Sequence, residues 1–154
     1  MSTKVIVVYE SKYGNTKLAA ETIAESITEV EGIETVLTEL KEVELNKIPD
    51  YDLILVGSPN HIGGPTRGIK KFIDRLGKLP LEGKKFAVFD TYIGKDFGKA
   101  VKKMEKGINE KVHESRLVAP GLSIRVQGMK GPISVGELPM CIEFGNRIAT
   151  QMKA

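Results

Sequence analysis

The sequence has little of what marks secreted, membrane-bound or nucleic-acid-binding proteins. It contains a single cysteine, which excludes a disulfide framework and fits a reducing compartment. No apolar run approaches the length of a membrane span or of a signal-peptide core, so we expect no membrane insertion and a cytoplasmic protein. The 23 basic and 20 acidic residues are interspersed, which leaves no basic stripe of the kind that binds nucleic acid.

The chain also lacks the sequence signatures of three folds that bind or transfer phosphate groups. The first apolar run is not followed by Gly-x-Gly-x-x-Gly, as in nicotinamide-binding Rossmann domains, or by a loop ending in Gly-Lys-Ser or Gly-Lys-Thr, as in nucleotide triphosphatases. A phosphoacceptor receiver domain needs several acidic residues at its strand ends. Glu10 alone does not supply them.

Five apolar runs alternate with stretches of helical periodicity. The runs lie at 5–8, 35–40, 53–56, 86–89 and 122–126. Four of them are nearly unbroken by polar residues, which is typical of strands covered on both faces. This order, closed by a last helix, predicts one α/β domain over residues 1–154, with a doubly wound parallel sheet and right-handed crossovers.

The helical periodicities predict which side chains are buried. One helix should bury a face that carries Phe97, Val101, Met104 and Ile108. The last helix should bury a face that carries Leu138, Cys141, Ile142, Gly145, Ile148, Ala149 and Met152. We therefore interpret the cysteine as a packing residue.

The loop after the first apolar run is the most informative segment. It reads Ser11-Lys12-Tyr13-Gly14-Asn15-Thr16 and leads into a helix that begins near its fifth residue. A strand that turns directly into a helix points several backbone N–H groups at one spot, where a phosphate binds well. Gly14 can adopt the positive φ that such a nest needs. An ordinary turn with an Asn or Thr helix cap fits the same residues, and the sequence leaves both readings open.

Two further loops belong beside the first one. In a doubly wound sheet the ligand lies beyond the carboxyl ends of the strands, where the loops at 57–66 and 90–98 follow the third and fourth runs. Both carry aromatic or planar side chains beside glycine. Together with a phosphate nest, they suit a ligand that has a phosphate tail and a flat ring system.

In these loops the chain resembles the short-chain flavodoxins and flavodoxin-like FMN proteins. The family's first loop reads Ser/Thr-x-Thr-Gly-x-Thr; Ser11, Gly14 and Thr16 match it, whereas Tyr13 stands where threonine is usual. The segment 57–59 (Gly-Ser-Pro) resembles the opening of the second flavin loop, and Thr91-Tyr92 with Gly94 resembles the third. The resemblance implies a five-stranded sheet in the order 2-1-3-4-5 with helices on both faces, and FMN as the cofactor.

The resemblance also implies roles for residues. The FMN phosphate would lie on the N–H groups of residues 12–16 and on the hydroxyls of Ser11 and Thr16, with Tyr92 stacked on the ring. His61 would either border the flavin or face solvent. The FMN-binding residues expected on this basis are Ser11, Lys12, Tyr13, Gly14, Asn15, Thr16, Ser58, Pro59, Asn60, His61, Ile62, Gly63, Gly64, Thr91, Tyr92, Ile93, Gly94 and Phe97.

The second loop is also the expected site of a peptide flip. In flavodoxins a peptide of this loop turns so that its carbonyl accepts a hydrogen bond from flavin N5 after reduction. Glycine makes such an exchange of turn types cheap. We expect the Gly63 carbonyl to fill this role, with the Ile62 carbonyl as the alternative; two glycines that merely turn the chain are the simpler interpretation.

Two functions follow from the resemblance. The first is an electron carrier that shuttles electrons between redox partner proteins and has no substrate of its own. The second is an FMN-dependent reductase or oxidase of the quinone-reducing or protoporphyrinogen-oxidase-like branch. The carrier is favoured because no inserted loop builds a second substrate pocket. The donor, the acceptor and the oligomeric state are left open.

Overall fold

The computed structural model describes residues 2–153 as alternating strands and helices. The strands are β1 (Thr3–Tyr9), β2 (Ile33–Glu39), β3 (Leu53–Pro59), β4 (Lys85–Tyr92), β5 (Arg116–Leu117) and β6 (Leu122–Arg125). The helices are α1 (Asn15–Thr28), α2 (Arg67–Leu76), α3 (Lys99–Lys111) and α4 (Glu137–Lys153). Within the described residues, none of the helices is both long enough and apolar enough to cross a bilayer.

All strand pairs of the sheet are parallel, in the order β2-β1-β3-β4-β5, and β6 also pairs with β4. The expected order 2-1-3-4-5 is confirmed. The fifth position differs from the expectation because two short strands share it: β5 pairs with the start of β4 and β6 with its end. Between them, Pro120 has no N–H to donate to a ladder, and the Gly121 N–H donates to Glu105 Oε2 at 3.0 Å.

Two apolar layers cover the faces of the sheet. On one face α1 and α4 pack over alternate residues of β1, β3 and β4; on the other face α2 and α3 pack over the remaining ones. Val5 and Val7 therefore belong to one layer, while Ile6 and Val8 belong to the other. The apolar runs of the three central strands, β1, β3 and β4, are buried on both sides, as their unbroken sequences predict.

Two predictions about buried helix faces are wrong. Ile142 is 45% exposed, and Phe144 takes a place in the core instead. The reason is the crossing of α4 over α1, where Gly145 lies so close to Ser26 that a Cβ atom would be 2.7 Å from the serine Cβ. Phe97 is 65% exposed, because α3 begins only at Lys99 and its buried face starts with Ala100.

Helices α1, α2 and α3 all begin at the carboxyl edge of the sheet, directly after β1, β3 and β4. None of the three has an acidic residue in its first turn. The partial positive charges of the three helix N-termini therefore lie at this edge. Carboxyl groups from outside the helices meet two of them: Glu10 lies against Gly68 of α2, and Asp90 accepts a hydrogen bond from the Val101 N–H of α3. The loops that were predicted to bind a ligand lie there.

Candidate functional site

The first loop forms a nest of backbone donors. Gly14 has a φ of 94° and is the N-cap of α1. The Ser11 hydroxyl accepts hydrogen bonds from the N–H groups of Gly14 (3.1 Å) and Lys17 (3.2 Å). The helix is therefore capped from Ser11, and neither Asn15 nor Thr16 acts as the cap. Within residues 12–16, four backbone N–H groups have no partner in the part of the chain that the structure describes: Lys12, Tyr13, Asn15 and Thr16.

This donor set fits the phosphate of FMN. Four N–H groups at a helix N-terminus, with no carboxylate in the first turn, supply the hydrogen bonds and the field that a phosphate needs. The two lysines of the segment, Lys12 and Lys17, are both exposed. The chemistry of the loop is thus that of a neutral backbone cradle.

Thr16 connects the first loop to the third. Its side chain is buried, and its hydroxyl lies 2.8 Å from the Thr91 hydroxyl in a hydrogen bond. Asn15 faces a different segment, because a Cβ atom at Gly131 would lie 2.6 Å from Asn15 Oδ1. The turn at 128–131 therefore packs against the first loop.

A buried serine joins the two ends of the second loop by hydrogen bonds. Ser58 is fully buried; its hydroxyl accepts a hydrogen bond from the Thr66 N–H at 3.0 Å and donates to the Pro59 carbonyl at 2.9 Å. Thr66 in turn caps α2 by accepting from the Ile69 N–H and donates its hydroxyl to Glu10. These bonds fix the two ends of the second loop.

The tip of the second loop is a tight turn with two left-handed residues. His61 and Gly64 exchange both backbone hydrogen bonds, at 2.6 and 3.3 Å. Between them Ile62 has a φ of 51° and Gly63 a φ of 75°. Positive φ at both central residues defines a type I′ turn. A β-branched residue such as Ile62 rarely adopts this conformation.

An asparagine connects the second and third loops. The Asn60 N–H donates to the Thr91 carbonyl at 2.7 Å, and its Nδ2 donates to Asp96 Oδ2 at 3.0 Å. Asp96 also pairs with Lys99 at 2.9 Å. The Asn60 Oδ1 atom is buried and has no partner among residues 2–153. Tyr92 packs edge-on against Phe97, with ring centroids 5.5 Å apart.

The loops enclose a cleft of about 240 Å³ at the carboxyl edge of the sheet. Of the expected residues, those that line it are Ser11, Lys12, Tyr13, Asn15, Thr16, Pro59, Asn60, His61, Ile62, Thr91, Tyr92 and Ile93. Those that do not line it are Gly14, Ser58, Gly63, Gly64, Gly94 and Phe97. The first three loops of the sequence prediction thus come together as one site.

Five further residues that line the cleft were missed by the sequence reasoning. They are Thr66, Asp96, Val126, Gly128 and Met129. The last three belong to a fourth loop, which follows β6. Its signal was present in the sequence: turn-forming glycines come directly after the fifth apolar run, and the end of that strand lies at the same edge of a parallel sheet as the other three.

Beneath the third loop lies a buried carboxyl group. Asp90 accepts hydrogen bonds from the Ser123 hydroxyl and from the Val101 N–H at 3.0 Å. Burial raises the pKa of Asp90 to about 6, although the hydrogen bonds from Ser123 and from the N–H groups of Val101 and Ala100 lower it. The Gly98 N–H donates to the same serine at 2.9 Å, so this network anchors the loop to α3.

We expect the Asp90 carboxyl to make stability fall as pH rises. Its pKa is higher in the folded chain than in the unfolded chain, so its contribution is present below about pH 4 and is lost as pH rises through about 6. The shift in pKa corresponds to a change of about 3 kcal/mol in the free energy of unfolding. Urea unfolding of the apoprotein at several pH values should show this loss relative to Asp90→Asn, and exposed Asp50→Asn should behave as the unsubstituted chain does. Parallel pH profiles for Asp90→Asn and the unsubstituted chain would contradict the assignment.

Comparison with known proteins agrees with the fold. Residues 7–129 match the family model described as Flavodoxin. A flavodoxin of Aquifex aeolicus is 35% identical over 91 residues, which are 57% of this chain and 49% of the relative; the match spans about half the length of that curated relative.

Solved structures agree over nearly the whole chain. A flavodoxin from the domain Archaea has a TM-score of 0.84 at 27% identity and covers 99% of this chain and 100% of its own. Flavodoxin 2 from Bacillus cereus has a TM-score of 0.82 at 28% identity, with 97% and 99% covered. The resemblance seen in the sequence is thereby confirmed, and nothing in the comparisons favours the reductase alternative. The chain belongs to the flavodoxin family, whose members bind FMN and transfer electrons to redox partners.

Proposed function

We propose that residues 1–154 form a single cytoplasmic domain that binds FMN and carries electrons between larger redox proteins. The observation that supports this most strongly is the nest at 12–16, whose four unpaired N–H groups lie beside a cleft lined by Tyr92. FMN, when bound, supplies the one-electron and two-electron chemistry. The chain would bind it, orient it and limit the access of water and partners.

The loops divide the binding between them. The phosphate would lie on the N–H groups of residues 12, 13, 15 and 16, where Ser11 keeps the loop in shape. The ring system would lie between Tyr92 and the second loop. The Tyr92 phenol, whose pKa is raised further by burial and by Glu137, offers an uncharged aromatic surface to the ring system. The buried Asn60 Oδ1 atom, which has no partner in the described chain, is an acceptor for a ring N–H.

The type I′ turn at His61–Gly64 supports the Ile62 carbonyl, and not that of Gly63, as the group that turns. The central peptide of this turn joins Ile62 to Gly63. Its rotation converts a I′ turn to a II′ turn and reverses the sign of φ only at the second central residue, Gly63. Rotation of the Gly63–Gly64 peptide would instead break the hydrogen bond from the Gly64 N–H to His61.

We expect Gly63→Ala to raise the first-electron potential by about 40 mV. An alanine at position 63 is strained by roughly 1 kcal/mol by its positive φ in the I′ turn. This strain, though not that at Ile62, disappears in the II′ turn that presents the Ile62 carbonyl after reduction, because φ at position 63 is then negative. For one electron, 1 kcal/mol is about 40 mV. Spectroelectrochemistry of the FMN-loaded protein measures this potential.

Gly83→Ala is the matched control for this substitution. Gly83 has a φ of 78° and, like Gly63, has open space around the position of a Cβ atom, but it lies between α2 and the start of β4 at the opposite edge of the sheet. It should lose a similar amount of stability without a change in potential. Equal potentials for all three proteins would mean that the two glycines only turn the chain.

Steady-state assays test the carrier function. The isolated FMN-loaded protein should oxidise NADH, NADPH or quinols no faster than free FMN does. It should nevertheless stimulate electron flow between a flavin-dependent reductase and a one-electron acceptor protein. Turnover with a quinone or with protoporphyrinogen by the isolated protein, above the rate of free FMN, would contradict the carrier proposal.

A further inference from the structure

Exposed apolar side chains surround the mouth of the cleft. Each loop contributes one: Tyr13 from the first, Ile62 from the second, Ile93 from the third and Met129 from the fourth. Ile62 is 91% exposed and is held there by the strained turn. Apolar side chains gathered at one opening mark a surface that another molecule covers.

Basic side chains form a rim around this apolar ring. Lys12 lines the cleft, Lys95 lies between two of its lining residues, and Lys130 follows the lining residue Met129. Arg67 and Lys70 line a groove of about 700 Å³ next to the cleft. The groove and the cleft share six lining residues, so they form one continuous surface. We call the five cations the basic rim; all five are exposed.

The carboxylates of this surface are already engaged. Of the described residues that line the cleft or the groove, Glu10 and Asp96 are acidic. Glu10 accepts the Thr66 hydroxyl, and Asp96 accepts from Asn60 and pairs with Lys99. The basic rim, by contrast, makes no ion pair within residues 2–153. Its charge is therefore available to a partner.

Acidic residues occupy the opposite edge of the sheet. Glu31, Asp50, Glu82 and Glu114 are exposed and lie in the segments that lead into β2, β3, β4 and β5. Lys78 and Lys84 lie at the same edge, so that edge carries both signs of charge, whereas the acids that line the cleft and the groove are already engaged. The N-terminus of α1 adds positive field at the cleft edge, because its first turn contains no acid.

We propose that the apolar ring and the basic rim form the docking surface for a redox protein that presents carboxylates around its own redox centre. Complementary charge would steer the two proteins together and would bring the partner's centre to the mouth of the cleft. The apolar side chains would exclude water from the contact once it has formed. This proposal rests on the carrier function, and it specifies the chemistry of the partner.

The sign of the salt dependence of electron transfer tests the charge at the cleft. The FMN-loaded protein is reduced with dithionite and mixed with ferricyanide, which carries three negative charges; each ferricyanide takes one electron and becomes ferrocyanide. The rate should fall as salt rises, because screening weakens an attraction. With tris(phenanthroline)cobalt(III), which carries three positive charges and becomes cobalt(II), the rate should rise with salt. The opposite pair of signs would overturn the proposal.

Two matched double variants separate local charge from net charge. Lys70→Glu with Lys130→Glu reverses two charges of the basic rim, whereas Lys78→Glu with Lys84→Glu makes the same change at the opposite edge. At low salt the first should slow ferricyanide reduction about tenfold, and the second by about twofold or less. Equal effects would assign the behaviour to net charge and would overturn the docking surface. Absorption spectra before mixing show whether each variant holds FMN.

Binding measurements test the surface even if no FMN is taken up. The chain should bind an immobilised acidic plant-type [2Fe–2S] ferredoxin, with an affinity that the Lys70/Lys130 variant loses and the Lys78/Lys84 variant keeps. It should not bind immobilised cytochrome c, which is basic. Binding to cytochrome c alone, or to neither protein, would overturn the proposal.

A nucleic-acid partner is a separate outcome of the same measurements. If a random DNA duplex binds more tightly than the ferredoxin at about 0.15 M salt, the surface belongs to nucleic acid and the proposal is overturned. A chain that binds the ferredoxin but takes up no FMN would instead contradict the carrier function.

Discussion

Riboflavin should bind this protein about a thousandfold more weakly than FMN. The two ligands differ only in the phosphate, and the nest at 12–16 offers it four unpaired N–H groups at the N-terminus of α1. A hydrogen bond to a charged group contributes roughly 1.5–3 kcal/mol. After the loss of hydration of the phosphate, the four N–H groups should contribute the equivalent of two or three such bonds, or about 4 kcal/mol of binding free energy. This is about a thousandfold in the dissociation constant. Quenching of flavin fluorescence by the apoprotein measures both constants.

Ser11→Ala shows whether the difference comes from this loop. The substitution removes the acceptor of the Gly14 and Lys17 N–H groups, which should loosen the nest and weaken FMN binding about tenfold. Riboflavin binding should change by about twofold or less, because it does not use the nest. Ser115→Ala, just before β5 at the opposite edge, serves as the control. Equal losses for both flavins would place the phosphate elsewhere.

Gly57→Ala should destabilise the fold by about 3–5 kcal/mol. Gly57 lies in β3 directly beside Phe89 of β4, and a Cβ atom on it would lie within 2.6 Å of three atoms of the phenylalanine ring. Phe89 is fully buried and cannot move into solvent. Overpacking of this kind typically costs 1–3 kcal/mol and more where the neighbours are rigid. The effect is a large part of the stability of a typical domain.

A double variant tests whether contact with the Phe89 ring causes the loss of stability in Gly57→Ala. In Gly57→Ala with Phe89→Leu the shorter side chain no longer reaches the added methyl group, so urea unfolding should show it to be more stable than Gly57→Ala alone. Phe89→Leu by itself should cost about 1–2 kcal/mol. A double variant as unstable as the sum of the two single variants would mean that the ring contact does not explain the need for glycine.

The sequence was sufficient to predict the sheet and three of the four loops. Unbroken apolar runs such as Leu53–Val56 identify strands that are covered on both sides, and the strand-to-helix turn at 11–16 identifies the phosphate end. The need for Gly57 could not be predicted, because it depends on the register that places Phe89 opposite. For the same reason, the roles of Ser58 and Asn60 became visible only with their partners Thr66 and Asp96.

Where the sequence prediction was wrong, small shifts of helix position were responsible. Phe97 keeps the spacing of the α3 core face but lies before the helix begins, so it packs on Tyr92 at the surface. Ile142 keeps the spacing of the α4 core face, but the close crossing at Gly145 turns Phe144 inward instead. Periodicity defines a face to within about one residue per turn, and tertiary packing decides which edge of that face is covered.

The visible absorption spectrum of the purified protein tests the central claim most directly. The protein should be yellow, with flavin absorption bands in the blue and near ultraviolet, and denaturation should release FMN in stoichiometric amount, identified by its mass. Apoprotein should regain the spectrum on addition of FMN. A colourless protein that takes up no FMN at neutral pH would contradict the account of the nest, the cleft and the function built on them.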